Sequence, residues 1–349
     1  ALGGALGDCP SRRDWAIAMA MADDIATSSS QDRAPTLDDV AALAGVSAAT
    51  VSRFFSNPKI VAKATGERIR AAVSDTGYIP NALAGGLASK RSRMVAVLIP
   101  HLTDSIFNDT IELMTEELTA SGSNVMLGLT GVSVMRTHDL IRGALARRVD
   151  AIISTGPLNA ESIALVTRSR TLFIQVWELP EAPVGTAIGF SHSDAGRDMA
   201  RFLASRGYRR PFLVTADGAR ARLRRDSFVQ EWNALGGEAP QETLVDIPSR
   251  FGHARRAFAE MRRLSLRPDV VVCGSDYLAQ GILIEAQHAG LSVPEDLAVM
   301  GFGNSLLAGE MRPTITTVDV DGSRIAREVL AVLRKHGEDP TVEHQSVDV

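Results

Sequence analysis

A chain of 349 residues holds two or three domains' worth of material, which excludes a peptide hormone or a small disulfide scaffold. Apolar residues make up 45% and charged residues 22%, no run approaches the roughly 18 apolar residues that span a bilayer, and cysteine occurs only as Cys9 and Cys273. An integral membrane protein and a disulfide framework are thereby excluded, and a cytoplasmic location is expected. The net charge of -4 is uneven: residues 36–93 carry eight Lys/Arg against four acids, a local +4 that leaves -8 for the remainder. A basic module on an acidic body suits a polyanion, although such a segment is also what a solvated face looks like.

In chain order, residues 1–35 read as a disordered leader ending in linker chemistry from Thr27 to Pro35. Arg12-Arg13 before the apolar stretch Trp15 to Ala22 has the outline of a signal peptide, but Asp14 interrupts it and the stretch is short, so export is not expected. Thr36-Leu-Asp-Asp39 has the form of a capping box, and Leu37, Val40, Ala41 and Ala44 make one apolar stripe on a first helix that Gly45 ends. Ser47 can cap a second helix, with Val46 and Val51 as a hydrophobic staple and Phe54 or Phe55 continuing toward a core. Ala48 and Ser52 share one row of that helix and Ala49 and Arg53 the next, a face that fits a major groove. Periodicity alone leaves a generic helical hairpin equally open.

From Met94 onward apolar runs recur at Met94–Pro100, Asn124–Leu129, Ala151–Thr155, Thr171–Val176, Ala187–Phe190, Pro211–Thr215, Val270–Gly274 and Leu297–Gly301. Helical stretches such as Ile106–Ser121, Asp194–Arg206, Leu223–Leu235 and Tyr277–Ala289 separate most of them. Strands alternating with helices predict an α/β core of two doubly wound parallel-sheet subdomains behind a small all-α helix-turn-helix headpiece. Catalytic signatures are missing: there is no Gly-x-x-x-x-Gly-Lys loop, no His-Glu-x-x-His and no Cys-x-x-Cys, and Gly301-Phe302-Gly303 lacks the third glycine of a dinucleotide fingerprint. Ser191-His192-Ser193-Asp194 holds triad residue types, but neighbours on one turn do not converge, so helix capping is expected there. No enzyme, cofactor or metal site is expected. Ligands of such sheets bind beyond the carboxyl ends of strands, where this chain offers Ser154, Thr155, Gln175, Trp177, Ser275, Asp276, Gly303 and Asn304.

The string Thr36-Leu-Asp-Asp-Val-Ala-Ala-Leu-Ala-Gly-Val-Ser-Ala-Ala-Thr-Val-Ser-Arg53, followed by Gly77-Tyr78-Ile79-Pro80-Asn81 and Leu87-Ala-Ser-Lys90, resembles the headpiece of the LacI-type (lactose repressor) family of bacterial transcription regulators. The resemblance implies a helix-turn-helix headpiece over 36–80, a hinge helix and linker over 81–92, and an effector-binding and dimerisation core over 93–349, similar to periplasmic sugar-binding proteins. Within the core it implies one subdomain of about 93–190 plus 319–335, and a second of about 191–318 plus the C-terminal end. It also implies a homodimer on double-stranded palindromic operator DNA, nucleoid-associated when bound and without a membrane partner. By residue type, Arg53 can present two donors to a guanine, Ala48 and Ala49 can touch a thymine methyl, and Thr36, Ser47, Thr50, Ser52 and Asn57 are short donors for phosphates, with Lys63 adding charge. Tyr78 and Asn81 belong to the matching strings. Leu87, with Ala84 one turn earlier, takes the position of the family's minor-groove wedge. Gly85-Gly86 costs such a hinge helix about 1 kcal/mol per residue relative to alanine, so DNA-dependent folding is expected there. Ala62 and Gly66 depart from the family's Ser and Arg, which weakens the start of the third helix and removes a phosphate contact.

The same resemblance places the polar strand-end residues around a sugar cleft together with Arg224. Phe54, Asn57-Pro58, Pro100-His101-Leu102-Thr103, Gly189-Phe190 and Ala298 to Phe302 are closest in wording to the gluconate-utilisation repressor branch. A guanidinium at Arg224 suits a sugar acid, with Trp177 covering a sugar face and Gln175, Ser275 and Asn304 reading hydroxyls. An internal pair of Arg224 with Asp276 or Asp226 is the alternative, and a neutral sugar stays open because Gln175 stands where that branch has Glu and Gly303 replaces an acidic residue. The expected activity is repression tuned by a small sugar or sugar-acid effector; the competing reading is a periplasmic-type sugar-binding protein without DNA regulation.

Overall fold

The computed structural model describes residues 33–80, 92–102, 107–341 and 345–349, so the leader before residue 33 and the hinge positions Asn81, Ala84, Gly85, Gly86 and Leu87 lie outside the described residues. Contacts divide the chain into two units, residues 1–88 and 89–349.

The first unit is built from local signals. Thr36 caps α1 (Leu37–Ala44): its hydroxyl oxygen accepts from the Asp39 N–H at 3.4 Å while the Asp39 carboxylate accepts from the Thr36 N–H at 2.8 Å, and Gly45 closes the helix at φ 63°. Ser47 caps α2 (Ala48–Ser56) by accepting from the Thr50 N–H at 3.2 Å. Asn57 caps a short 3-10 turn, Pro58–Ile60, and α3 (Lys63–Thr76) starts at Ala62 with no side-chain cap, the weak start that an alanine there predicts. Val40, Ala41, Ala44, Val51, Phe54, Ile69 and Ala72 form the core of the unit, and Val46 packs against it across the cap from Val51. Gly66 is buried, and a Cβ on it would meet the Phe54 ring at 3.2 Å. The missing side chain thus makes room for Phe54, whose ring also lies 5.7 Å below the Arg70 guanidinium.

In the second unit every ladder is parallel, because each strand is followed by a helix that returns the chain to the starting edge. The first sheet uses β1 (Met94–Ile99), β2 (Asn124–Leu129), β3 (Ala151–Ser154), β4 (Leu172–Val176), β5 (Thr186–Gly189) and the final β10 (Val347–Asp348), in the order β10-β5-β4-β3-β1-β2. Between these strands run α4 (Asn108–Ala120), α5 (Val134–Ala146) and α6 (Ala160–Ser169). The chain then passes through α7 (His192–Ser205) to the second sheet, β6 (Pro211–Ala216), β7 (Gln241–Val245), β8 (Val270–Cys273) and β9 (Ala298–Met300), ordered β7-β6-β8-β9. That sheet is interleaved with α8 (Ala219–Ala234), α9 (Phe251–Met261) and α10 (Asp276–His288), and followed by the short α11 (Leu306–Glu310). The return runs through bridges at Thr316 and Asp319 to α12 (Gly322–Glu338), which packs against α4.

Placing the C-terminal end with the second subdomain is corrected by β10, which pairs in parallel with β5 at the edge of the first sheet through Val347↔Ile188 and Asp348↔Gly189. The Ser346 hydroxyl accepts from the Ala187 N–H, and the Val349 N–H donates to the Gly189 carbonyl. An unpaired β5 edge is what attracts it, since open backbone donors and acceptors favour an added strand. No helix among the described residues is long and apolar enough to cross a membrane.

Candidate functional site

Capping and staple together decide which face of α2 is free. Val51 and Phe54 turn into the core, so Ser47, Ala49, Ser52 and Arg53 are exposed and Ala48 and Thr50 half-buried. Arg53 has no hydrogen-bond or ion-pair partner among the described residues, which leaves its five donors available. Thr36, Ser47 and Asn57 spend a side-chain oxygen on a cap, and the Ser47 and Thr50 hydroxyls lie 2.9 Å apart. Lys63 is exposed in the first turn of α3, and Tyr78 is half-buried with its ring 6.0 Å from Phe55.

In the core, the strand orders reverse between β1 and β3 in one sheet and between β6 and β8 in the other, and the gaps beyond those carboxyl ends are where open parallel sheets bind ligands. The first turns of α8 join the two gaps. Arg220 donates to the Thr155 hydroxyl and, at 3.1 Å, to the Thr155 carbonyl at the end of β3. One turn on, Arg224 donates to the Gly274 carbonyl beyond β8 at 3.1 Å and to His192 Nδ1 at 3.0 Å. Its guanidinium lies 3.9 Å above the Phe302 ring, and Phe190 packs edge-on to His192 at 4.6 Å. The internal pairing considered for Arg224 meets two carboxylates already engaged: Asp226 with Arg225 at 2.9 Å, and Asp276 with the Ser305 N–H and the Thr317 hydroxyl.

Several predicted effector residues serve the scaffold in this arrangement. Trp177 is corrected from a sugar platform to a core residue: it is 1% exposed, its φ is 62°, and its ring packs edge-on to Phe107 at 4.8 Å, so no face is free for a ligand. Gln175 accepts from the Val184 N–H at 2.6 Å and so ties down the following loop. Ser275 caps α10, buried Asp276 holds the segments at Ser305 and Thr317, and Ser154 accepts from the Gly156 N–H. Gly303 bridges to Asp319 at φ 126°, and exposed Asn304 donates from its amide to the Asp319 carboxylate. Thr155 and Arg224 are the predicted residues that meet at the reversal points. His192 and Arg220 were missed there, although Arg220 stands four residues before Arg224, the spacing that shares a helix face. A cavity of about 440 Å³ beside α7, lined in part by Phe202, Thr316 and Asp319, contains none of the predicted effector residues, and the void against Arg224 holds only about 20 Å³. Cys273 is fully buried, which pushes its thiol up out of the reactive range.

A guanidinium can only donate, so His192 accepts at Nδ1 and carries its proton on Nε2, which is buried without a hydrogen-bond partner among the described residues. Burial first, then the charges of Arg224 and Arg220, lower its pKa from 6.5 to about 2. The unfolded chain therefore takes up this proton near pH 6.5 while the folded chain does not, so there is no penalty above pH 6.5 and stability falls as the pH drops from 6.5 toward 2. The slope is about 1.4 kcal/mol per pH unit. His192→Gln is expected to flatten the decline of melting temperature between pH 7.5 and 5; parallel declines in the two proteins would assign the acid sensitivity to other groups.

Comparison with known proteins agrees with this division. Residues 36–81 match the model of bacterial regulatory proteins of the lacI family, and residues 200–349 match that of the periplasmic binding protein-like domain. The chain is 32% identical over 306 residues to the HTH-type transcriptional regulator GntR of Pseudomonas aeruginosa, covering 86% of this chain and 89% of that one. The Escherichia coli regulator of the same name is 27% identical, with 86% and 92% covered. Among solved structures, a LacI-family transcriptional regulator from Silicibacter pomeroyi aligns at a TM-score of 0.83 and 27% identity over 90% of this chain and 96% of its own. The lac repressor dimer bound to operator and the anti-inducer ONPF aligns at 0.77 and 23% identity over 90% and 96%, which supports the fold. These relatives are regulators of transcription rather than enzymes, and with a capped recognition helix ahead of two parallel-sheet subdomains the chain belongs to the LacI family of DNA-binding transcription regulators.

Proposed function

We propose that the chain is a cytoplasmic repressor that binds a palindromic operator as a homodimer and changes its operator affinity when a sugar acid such as gluconate occupies the space between the core subdomains. The observation that carries the DNA half is the exposed row of Ala49, Ser52 and Arg53 on a helix whose opposite face is locked by Val51 and Phe54. Arg53 is the base reader, while Thr36, Ser47, Thr50, Ser52, Asn57 and Lys63 grip phosphates. Dimerisation is supported by the β2 edge, where Leu127 and Leu129 are more than 40% exposed and Val132 and Met135 follow at 62% and 58%, an apolar band that a second copy would cover. Arg224, stacked on Phe302 at the reversal point of the second sheet, supports an acidic ligand. Effector and operator are linked because they favour different arrangements of the subdomains, a coupling of about 1 to 3 kcal/mol.

The test compares cognate and scrambled duplexes at fixed salt. Arg53→Ala is expected to cost about 1 to 3 kcal/mol on the cognate site and to relax one symmetric position, whereas Lys63→Ala weakens all sequences alike. Gluconate added to the wild-type complex is expected to shift operator affinity by fivefold or more. Equal losses on both duplexes for Arg53→Ala would remove it from base readout, and an operator affinity indifferent to gluconate, hexuronates and hexoses would remove the effector half.

A further inference from the structure

We propose that Arg220 is a second anion contact of the effector site, so that the effector is a polyol acid carrying two acidic groups: an aldonate with a phosphate at its far end, or a dicarboxylate sugar acid. The proposal rests on the reading of Arg224 as a carboxylate contact and extends it.

Four arginines stand between positions 220 and 225 of α8, and they divide by direction. Arg222 pairs with Asp217 at 3.2 Å, and Arg225 with Glu242 at 2.8 Å. Arg220 and Arg224, four residues apart on one helix face, instead reach the two strand ends at the reversal points of the two sheets. The groups that hold them there include a threonine hydroxyl, backbone carbonyl oxygens and an imidazole, all neutral. His192 is enclosed between them and kept uncharged by burial and by both guanidiniums, so the two positive charges act on one volume. Gly218 begins α8 without a side-chain cap, and the first-turn amides add a further positive field beside Arg220.

One carboxylate matches one guanidinium in a two-bond fork, which accounts for Arg224 and leaves Arg220 held by Thr155. An anion is a stronger partner than a neutral hydroxyl and carbonyl. A ligand with a second acidic group would take Arg220 from Thr155, and because Thr155 lies on the first sheet and α8 follows the second, that exchange replaces a direct tie between subdomains by one that runs through the ligand. Effector binding and subdomain arrangement are then coupled through one side chain.

Calorimetry on the full chain with gluconate, gluconate 6-phosphate, glucarate, glucose 6-phosphate and glucose tests this. At least one diacid is expected to bind tenfold or more tighter than gluconate; which one wins distinguishes a phosphate from a second carboxylate. Arg220→Gln is expected to shrink that preference to threefold or less, Arg220→Lys to retain part of it, and Arg224→Gln to weaken every acid. Operator binding by each variant without ligand reports that it is folded, and the wild-type preference decides the matter even where a variant is not. Gluconate binding as tightly as both diacids, or glucose 6-phosphate binding best, would overturn the second contact; so would an equal loss for mono- and diacids in Arg220→Gln. In the first and last cases a sugar-acid effector at Arg224 stands. Glucose binding with no acid binding would overturn the Arg224 reading and this proposal together.

Discussion

Phe54→Ala is expected to abolish operator binding while leaving the core folded and able to bind its effector. Phe54 is 8% exposed at the centre of a core of seven side chains, where it fills the space opened by Gly66 and supports Arg70. Truncating a buried phenylalanine costs about 3 to 5 kcal/mol. A unit of about 45 residues is stabilised by only about 2 to 7 kcal/mol at the usual 0.05 to 0.15 kcal/mol per residue, so the loss is comparable with its whole margin. The measurement pairs gel shift with limited trypsinolysis: cleavage at Arg53, Arg68 and Arg70 should accelerate while the thermal transition of residues 89–349 stays in place. Operator affinity within threefold of wild type would show that the three helices hold without this ring.

Gly196→Ala is the corresponding expectation for the core. A Cβ there would lie 3.0 Å from the Arg224 carbonyl carbon and closer still to its oxygen, so the obstacle is the backbone of α8 and no rotamer change relieves it. Overpacking of this kind costs about 1 to 3 kcal/mol, occasionally more. The α7–α8 contact must open at the residue that carries the effector guanidinium and beside His192 at the start of α7, so effector affinity is expected to fall tenfold or more while ligand-free operator binding persists. Gly252→Ala, on α9 with open space around its Cβ, is the control and should leave both properties unchanged. Equal effects from the two substitutions would mean that the loss reflects general destabilisation rather than displacement of α8.

The headpiece was legible because its determinants are short-range. Thr36 and Asp39, Ser47 and Thr50, and the Val46 and Val51 staple act across three to five residues, and capping chemistry operates at that distance whatever the rest of the chain does. The parallel class of the core was equally legible, since β3 and β8 are buried along their whole length and read as continuous apolar runs. Strand β7, Gln241–Val245, escaped because it is an edge strand with only Thr243 and Val245 buried, and β10 because a two-residue strand is defined by its partner β5 rather than by its own side chains. The effector site is longer in range still: Arg220 meets Thr155 across 65 positions and Arg224 meets His192 across 32. Residue type could nominate Arg224 as a cation at the right strand end. That Trp177 would fill the core, that Asp276 would be engaged by Ser305 and Thr317, and that Arg220 would turn toward the gap while Arg222 turned to Asp217 was decided only when the two sheets packed, because burial and hydrogen-bond competition among distant groups have no period along the chain.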